Sequence, residues 1–109
     1  MKMIIDNKEI IEVKIAKNMF QRMKGLMGKK EVREGLYFYP CNNIHTLFMK
    51  VSIDVLYLDA NGVIIALTKA MKPWKIGKII RKGKVVIELP EGTIEHYNIK
   101  EKQVVSFLK

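Results

Sequence analysis

The stretch that decides the fold is IDVLYLDANGVIIALT, which runs from Ile53 to Thr68. Its two apolar halves are separated by Asp-Ala-Asn-Gly, and an Asn-Gly pair between apolar runs is a strong signal for a β-hairpin. Alternation along the first half gives two faces, which carry Ile53, Val55 and Tyr57 on one side and Leu56 and Leu58 on the other. Asp54 falls on the second face. A carboxylate in an apolar row needs a cation or several N–H donors as partners. Asp54 is therefore the residue whose position in the predicted strands is most unusual.

Shorter segments of the same kind surround this hairpin. An N-terminal hairpin is predicted around Asp6-Asn7-Lys8, and further strands are predicted over LYFYP, IHTLFM, VVIELP and QVVSFL. One main helix is predicted at about residues 19–27, because Asn18 and Gln21 form a capping pattern ahead of apolar residues at helical spacing. Thr93 is predicted to cap a single helical turn.

These elements predict the fold class. We expect an α+β, mainly β protein, built as a compact antiparallel barrel or sandwich of about seven or eight short strands with the one main helix. The sequence contains no repeat and no linker-like segment, so we expect residues 1–109 to form a single domain.

The cellular location is predicted from the apolar segments and the cysteine content. The N-terminal apolar run is interrupted by charges too early for a signal peptide, and no segment is long and apolar enough to span a membrane. Cys41 is the single cysteine and fits a reducing compartment. We therefore expect a cytoplasmic protein.

The net charge of +9 raises the possibility of nucleic-acid binding, because a basic surface attracts phosphates. Residues 69–84, which we call the basic excursion, carry seven basic residues and no acidic one. A tryptophan among lysines is the combination that stacks bases and follows phosphates. The candidate nucleic-acid residues are Lys72, Trp74, Lys75, Lys78, Arg81 and Lys82. Against this reading, lysines greatly outnumber arginines, and joint Lys and Ile enrichment also arises from an AT-rich coding sequence.

The segment from Met49 to Asp54, which we call the strand junction, is the second candidate site. Lys50 and Asp54 flank the end of one predicted strand and the start of the next, so they can approach each other across a bend. Two interpretations are open, since the carboxylate can belong to a buried ion pair or turn cap, or it can face a ligand together with Lys50.

Catalytic chemistry has little support in the sequence. Cys41 and His45 are a conceivable nucleophile and base, but a loop leading into a strand does not bring residues four apart together. Cys41, His45, Asp54 and His96 lack a metal-binding spacing. We expect no catalytic residue, metal or cofactor, and a hydrolase-type enzyme is the remaining alternative.

Several short motifs occur in an order that resembles one known family. They are RMKGLMG (22–28), GLYF (35–38), FMK (48–50), IDVLYLDANG (53–62) and VIELPEG (86–92). The ordered set resembles the DUF192 (UPF0127) family of small bacterial and archaeal domains, over nearly the whole chain. The resemblance implies a compact β-rich fold with one helix and implies no activity. The positions that it marks are Arg22, Gly25, Leu26, Met27, Met49, Lys50, Asp54, Glu88 and Gly92.

Together these observations predict a non-enzymatic domain that binds a small molecule or a segment of a partner protein. The expected cleft lies between the predicted helix and the strand junction. Its candidate ligand-binding residues are Arg22, His45, Met49, Lys50, Asp54 and Trp74. Nucleic-acid binding through the basic excursion is the less favoured alternative.

Overall fold

A computed structural model describes residues 1–16, 33–47 and 49–109 of the chain. These residues form seven strands and one short helix. The strands are β1 (Lys2–Ile5), β2 (Lys8–Ile15), β3 (Gly35–Phe38), β4 (Ile53–Leu58), β5 (Ile64–Met71), β6 (Val85–Pro90) and β7 (Val105–Leu108), and the helix is α1 (Thr93–His96). The main helix predicted at about residues 19–27 lies outside the described residues.

The strands form one sheet in the order β5-β4-β6-β3-β2-β1-β7. The predicted α+β, mainly β class is confirmed. Two features differ from the predicted antiparallel barrel or sandwich. β2 and β3 are parallel, and the described strands do not close a barrel, because the edge strands meet only at an isolated bridge between Val63 and Val104. Local alternation predicts strands but not which distant strands become neighbours, so neither feature could be predicted.

The two hairpins form where the sequence predicts them. Asp6 and Asn7 both have positive φ, which is the conformation of a two-residue turn that matches strand twist. In the second hairpin, the Asp59 Oδ1 accepts hydrogen bonds from the N–H groups of Asn61 (2.8 Å) and Val63 (3.0 Å). Gly62 has a φ of 81°, which glycine adopts without a steric cost.

The hydrophobic core lies on both faces of the sheet. One face carries the larger cluster, which includes Leu56 and Leu58 of β4, and the other carries a cluster that includes Ile53, Val55 and Tyr57. The two faces predicted for β4 are therefore confirmed. All six residues of β4 are buried, and Asp54 is the one charged residue among them.

Two predicted local elements are not formed as expected. The described part of IHTLFM is not a regular strand, since only His45 pairs, in an isolated bridge to Ile76. The prediction that Thr93 caps the short helix is wrong, because Gly92 is the N-cap residue and no side chain at that position caps the helix. Among the described residues, no helix is long and apolar enough to cross a membrane.

Candidate functional site

The strand junction is organised around the buried Asp54 carboxylate, which is 1% exposed. Its Oδ1 accepts a hydrogen bond from the N–H of Ala70 on β5 (2.9 Å). Its Oδ2 accepts hydrogen bonds from the N–H groups of Gly92 (3.1 Å) and Ile94 (2.9 Å) at the start of α1. These three backbone donors supply the partners that a buried carboxylate requires. Asp54 therefore links β4 to the end of β5 and to the first turn of α1.

The other residues of the junction occupy different environments. Met49 is buried in the second cluster, and its N–H donates to the carbonyl oxygen of Thr46 (3.2 Å). Lys50 is exposed. Of the ion pairs between described residues, none joins Lys50 to Asp54. The junction therefore separates the two charges that the sequence allowed to pair.

Thr46 fixes the basic excursion to the body of the protein. It is fully buried, and its hydroxyl donates to the Lys72 carbonyl (2.6 Å) and accepts from the Lys75 N–H (2.9 Å). The Thr46 carbonyl also accepts from the Trp74 N–H (2.9 Å). Thr46 is not among the residues predicted from the sequence, where its only signal is a polar side chain in the apolar segment IHTLFM.

Further backbone bonds extend this attachment along the loop that precedes the junction. The N–H groups of Gly77 and Ile80 donate to the carbonyl oxygens of Ile44 and Asn42, both at 2.8 Å. A Cβ at Gly77 would lie 2.9 Å from the Ile44 oxygen, so only glycine fits there. The prediction of an irregular excursion is wrong for its first three residues, which continue β5. From Lys72 onward the excursion is irregular, as predicted, but its backbone is held in place over most of that length.

The surface of the basic excursion combines cations with exposed apolar side chains. Its lysines and Arg81 are exposed, and of the ion pairs between described residues none includes them. Trp74 is 61% exposed, Ile76 75% and Ile79 73%. The predicted nucleic-acid residues are thus brought together on one exposed segment, with isoleucines that this prediction did not include.

A groove of about 470 Å³ lies between β5 and the irregular part of the basic excursion. We call it the β5 groove. Residues of β4 and β5 form one wall, and Ile76 to Lys78 with Ile80 form the other. The lining residues are Tyr57, Ala66, Leu67, Thr68, Met71, Ile76, Gly77, Lys78 and Ile80. Three of them are consecutive in β5, and because successive side chains of a strand point to opposite faces, the groove must follow the edge of the strand.

The N–H and C=O groups of Leu67 in β5 point toward the groove and not toward β4. The Leu58 carbonyl accepts a hydrogen bond from the Lys84 N–H (2.8 Å) on the β6 side of β4. Alternation then directs the backbone groups of Tyr57 toward β5, where its partner is Ala66. Leu67 follows Ala66, so its N–H and C=O groups point away from β4. The groove therefore borders main-chain donors and acceptors as well as apolar side chains.

Tyr57 is a buried residue that lines the groove. Burial raises the pKa of Tyr57, a hydrogen bond with Thr68 opposes the rise, and the neighbouring Cys41 and Glu88 add to it. Glu88 is a buried carboxylate of β6 that lies opposite Leu36 and Val55. The Tyr57 phenol is therefore held in its neutral form, in which it can both donate and accept a hydrogen bond.

The residues considered for catalysis or metal binding are in separate settings. The Cys41 thiol donates to the carbonyl oxygen of Asn43 (3.0 Å), whereas His45 pairs with Ile76 of the excursion. His96 lies in α1 and packs edge-to-face on Tyr97. Across residues 1–16, 33–47 and 49–109, no group of three or more metal-ligating side chains is close enough to hold an ion. Arg22 lies outside the described residues.

Solved structures share this fold. A protein of unknown function from Novosphingobium aromaticivorans superposes with a TM-score of 0.81 at 15% sequence identity, covering 97% of this chain and 84% of that one. A putative transcription regulator from Sinorhizobium meliloti gives a TM-score of 0.70 at 21% identity, covering 86% of this chain and 79% of its own. At these identities the likeness establishes the fold alone.

Sequence relatives define the class more closely. A UPF0127 protein of Pyrococcus furiosus is 34% identical over 103 residues, which cover 89% of this chain and 88% of the relative. A UPF0127 protein of Thermococcus sibiricus is 38% identical over 94 residues, covering 79% of this chain but only 59% of that protein.

The fold and the site thus define a small, mainly β domain of a class without an assigned activity. The model of the DUF192 family, described as "Uncharacterized ACR", matches residues 2–107. The chain belongs to the DUF192 (UPF0127) family, as its motifs indicate.

Proposed function

We propose that this protein is a non-enzymatic binding domain and that an extended segment of a partner protein binds in the β5 groove. The observation that carries the proposal is that three consecutive residues of the edge strand β5, Ala66, Leu67 and Thr68, line the groove. A segment added to such an edge gains main-chain hydrogen bonds, and the adjoining side-chain sites provide selectivity.

The edge of β5 already forms main-chain hydrogen bonds with another part of the chain at its first residue. The Ile64 N–H donates to the Gln103 carbonyl (2.9 Å), and the Lys102 N–H donates to the Ile64 carbonyl (2.8 Å). This pairing supports the proposal, because the outward groups of Leu67 continue the same edge. A bound segment would therefore extend a pattern of pairing that the protein uses itself.

The lining of the groove indicates which segment it would take. Most lining side chains are apolar, and Lys78 is the one charged residue among them. Lys69 and Lys72 are exposed at the end of β5. Side chains of an extended segment alternate in direction. A segment with apolar residues on one side and acidic residues on the other would therefore contact the apolar lining and pair with the lysines.

The residues predicted for ligand binding take different roles in this proposal. His45 pairs with the lining residue Ile76, and Trp74 lies two residues before it. Lys50, which is exposed, stays a candidate for contact with the ligand, as does Arg22, which lies outside the described residues. Asp54 and Met49, which are buried, would support the site without touching the ligand. A cytoplasmic location belongs to the same proposal, which cell fractionation with an antibody against the protein would test.

Fluorescence anisotropy with a labelled peptide of alternating glutamate and valine tests strand addition. We expect binding to the wild type and a loss of about tenfold or more in Ala66→Phe, whose ring occupies the groove. Ala60→Phe is the matched control, because Ala60 is exposed in the hairpin turn. N-methylation of alternate peptide nitrogens should also weaken binding, since it removes main-chain donors.

Each experiment tests a different part of the proposal. Equal affinity of the N-methylated peptide would exclude strand addition, and equal affinity of Ala66→Phe would exclude the groove. Native mass spectrometry of untagged protein addresses the small-molecule form of the prediction, because a retained ligand appears as added mass that Ala66→Phe should remove.

A further inference from the structure

Beyond the binding of a segment, we propose that residues 74–79 of the basic excursion dock this protein on an anionic lipid surface. This stretch exposes Trp74, Ile76 and Ile79, each by more than half. Such large apolar side chains are costly to leave in water when they are grouped in a short loop. Tryptophan also favours the boundary between lipid headgroups and acyl chains.

The charges around these side chains identify the kind of surface. Lys72, Lys75, Lys78 and Arg81 alternate with the apolar residues, and no acidic residue occurs between positions 69 and 84. None of these cations joins an ion pair between described residues. They are therefore available to the phosphate and carboxylate groups of anionic lipids, while their aliphatic stems can lie along the acyl boundary.

The conformation of this loop is set before any contact. The Thr46 hydroxyl holds the backbone on both sides of Trp74, through Lys72 and Lys75. Gly77 is fixed to Ile44 by a further backbone bond. Because the backbone is ordered in the free protein, little conformational entropy is lost when the loop meets a surface.

The same surface is the candidate for nucleic-acid binding, and its exposed isoleucines favour a lipid surface over a nucleic acid. Bases can stack on Trp74 and phosphates can contact the lysines. Ile76 and Ile79 have no stacking partner on a nucleic acid, whereas the acyl boundary of a bilayer removes them from water. An anionic lipid surface is thus the partner that uses both the charges and the apolar side chains.

Trp74 is the single tryptophan of the chain, so tryptophan fluorescence reports on this loop alone. The protein is titrated with vesicles of phosphatidylcholine alone and with vesicles that contain about one third phosphatidylserine. We expect a blue shift of Trp74 emission and co-sedimentation with the second vesicles only. Raising the salt concentration should weaken this binding, because screening reduces the attraction between exposed charges.

Substitutions separate the apolar and the charged contributions. Ile76→Ser combined with Ile79→Ser should weaken vesicle binding by about tenfold or more, and Lys75→Gln alone by about fivefold. The matched controls are Leu108→Ser, at an exposed apolar residue of β7, and Lys100→Gln, at an exposed lysine outside the excursion. Both controls should bind vesicles as the wild type does. The thermal unfolding midpoint of every variant should stay near that of the wild type, since only exposed side chains change.

Three results would overturn the proposal. One is the absence of a response to anionic vesicles. Another is unchanged binding by the double isoleucine variant. The third is a Trp74 response to a single-stranded oligonucleotide but not to vesicles, which would make the surface a nucleic-acid interface. Ala66→Phe should leave vesicle binding intact, so that failure of the groove proposal and failure of the lipid proposal remain distinguishable.

Discussion

Asp54 and Gly92, which are 38 residues apart in the sequence, meet in a hydrogen bond of 3.1 Å from the Gly92 N–H to the Asp54 Oδ2. Both positions are among those that mark the family resemblance, and the structure gives them one shared role. The Asp54 carboxylate orders the first turn of α1 from outside the helix. Gly92 has a left-handed backbone, with a φ of 91°, and this conformation turns the Gly92 N–H toward the carboxylate.

The first prediction concerns Asp54→Asn. The asparagine amide can replace one oxygen but offers donors where the other oxygen accepts bonds, so buried N–H groups lose their partner. We expect the free energy of unfolding to fall by about 2–3 kcal/mol, as measured by urea denaturation. Asp59→Asn is the control and should cost less than about 1 kcal/mol, because asparagine makes the same turn contacts. A single cooperative transition in both proteins would support the prediction of one domain.

The second prediction concerns Thr46→Val, which keeps the shape of the side chain and removes its hydroxyl. The Lys75 N–H then loses its bond, and we expect a loss of about 1–3 kcal/mol in the free energy of unfolding. Hydrogen exchange should accelerate at Trp74 and Lys75. Thr93→Val removes only one hydroxyl bond, to the Pro90 carbonyl, and should leave exchange in the excursion unchanged. Unaltered exchange in Thr46→Val would contradict the role assigned to Thr46.

The third prediction concerns Gly92. A Cβ at this position would meet no atom within 4 Å, so the cost of Gly92→Ala comes from the left-handed backbone alone. We expect a loss of about 1–2 kcal/mol. Gly92→Asn should cost less, because asparagine tolerates this conformation. Thermal unfolding of the two variants side by side provides the measurement, and equal losses would show that something other than backbone conformation is responsible.

The fourth prediction concerns alkaline pH. The folded-state pKa of Tyr57 is raised above 10.0, chiefly by burial. As the pH rises above 10.0, the unfolded phenol ionises while the folded one stays neutral, so the free energy of unfolding falls. The slope from one such group is at most about 1.4 kcal/mol per pH unit. Tyr57→Phe should flatten the decline above about pH 10, and an unchanged slope would contradict the assignment. A residual slope is expected from Tyr37, whose pKa is also raised by burial.

The strands and hairpins could be predicted because their signals are local. Alternation gave both faces of β4, and Asn-Gly and Asp-Asn marked the turns correctly. The parallel neighbours β2 and β3 could not be predicted, because the pairing of separate strands depends on the packing of the whole sheet and leaves no local pattern. The same limit applies to the open arrangement of the described strands.

The candidate site could be predicted only in part. The sequence singled out Asp54 as an unusual carboxylate and the basic excursion as an exposed segment. The partners of Asp54 are backbone N–H groups, which every residue but proline carries, so no side-chain pattern could reveal them. The β5 groove likewise combines Ala66 to Thr68 on one wall with Ile76 to Lys78 and Ile80 on the other. The segment that carries the second wall is hydrogen-bonded to Thr46, which is distant in the sequence.

The three hydrogen bonds of Asp54 also bear on the order of folding. They join residues 16, 38 and 40 positions apart, whereas the side-chain contacts of Asp59 in the neighbouring turn span two and four. Closing long loops costs more chain entropy, so the hairpin of β4 and β5 can form well before α1 is joined to it. Asp54 then acts late, and its loss should accelerate unfolding far more than it slows refolding. The residue that the sequence singled out as a site for ligands would in that case set the lifetime of the native state.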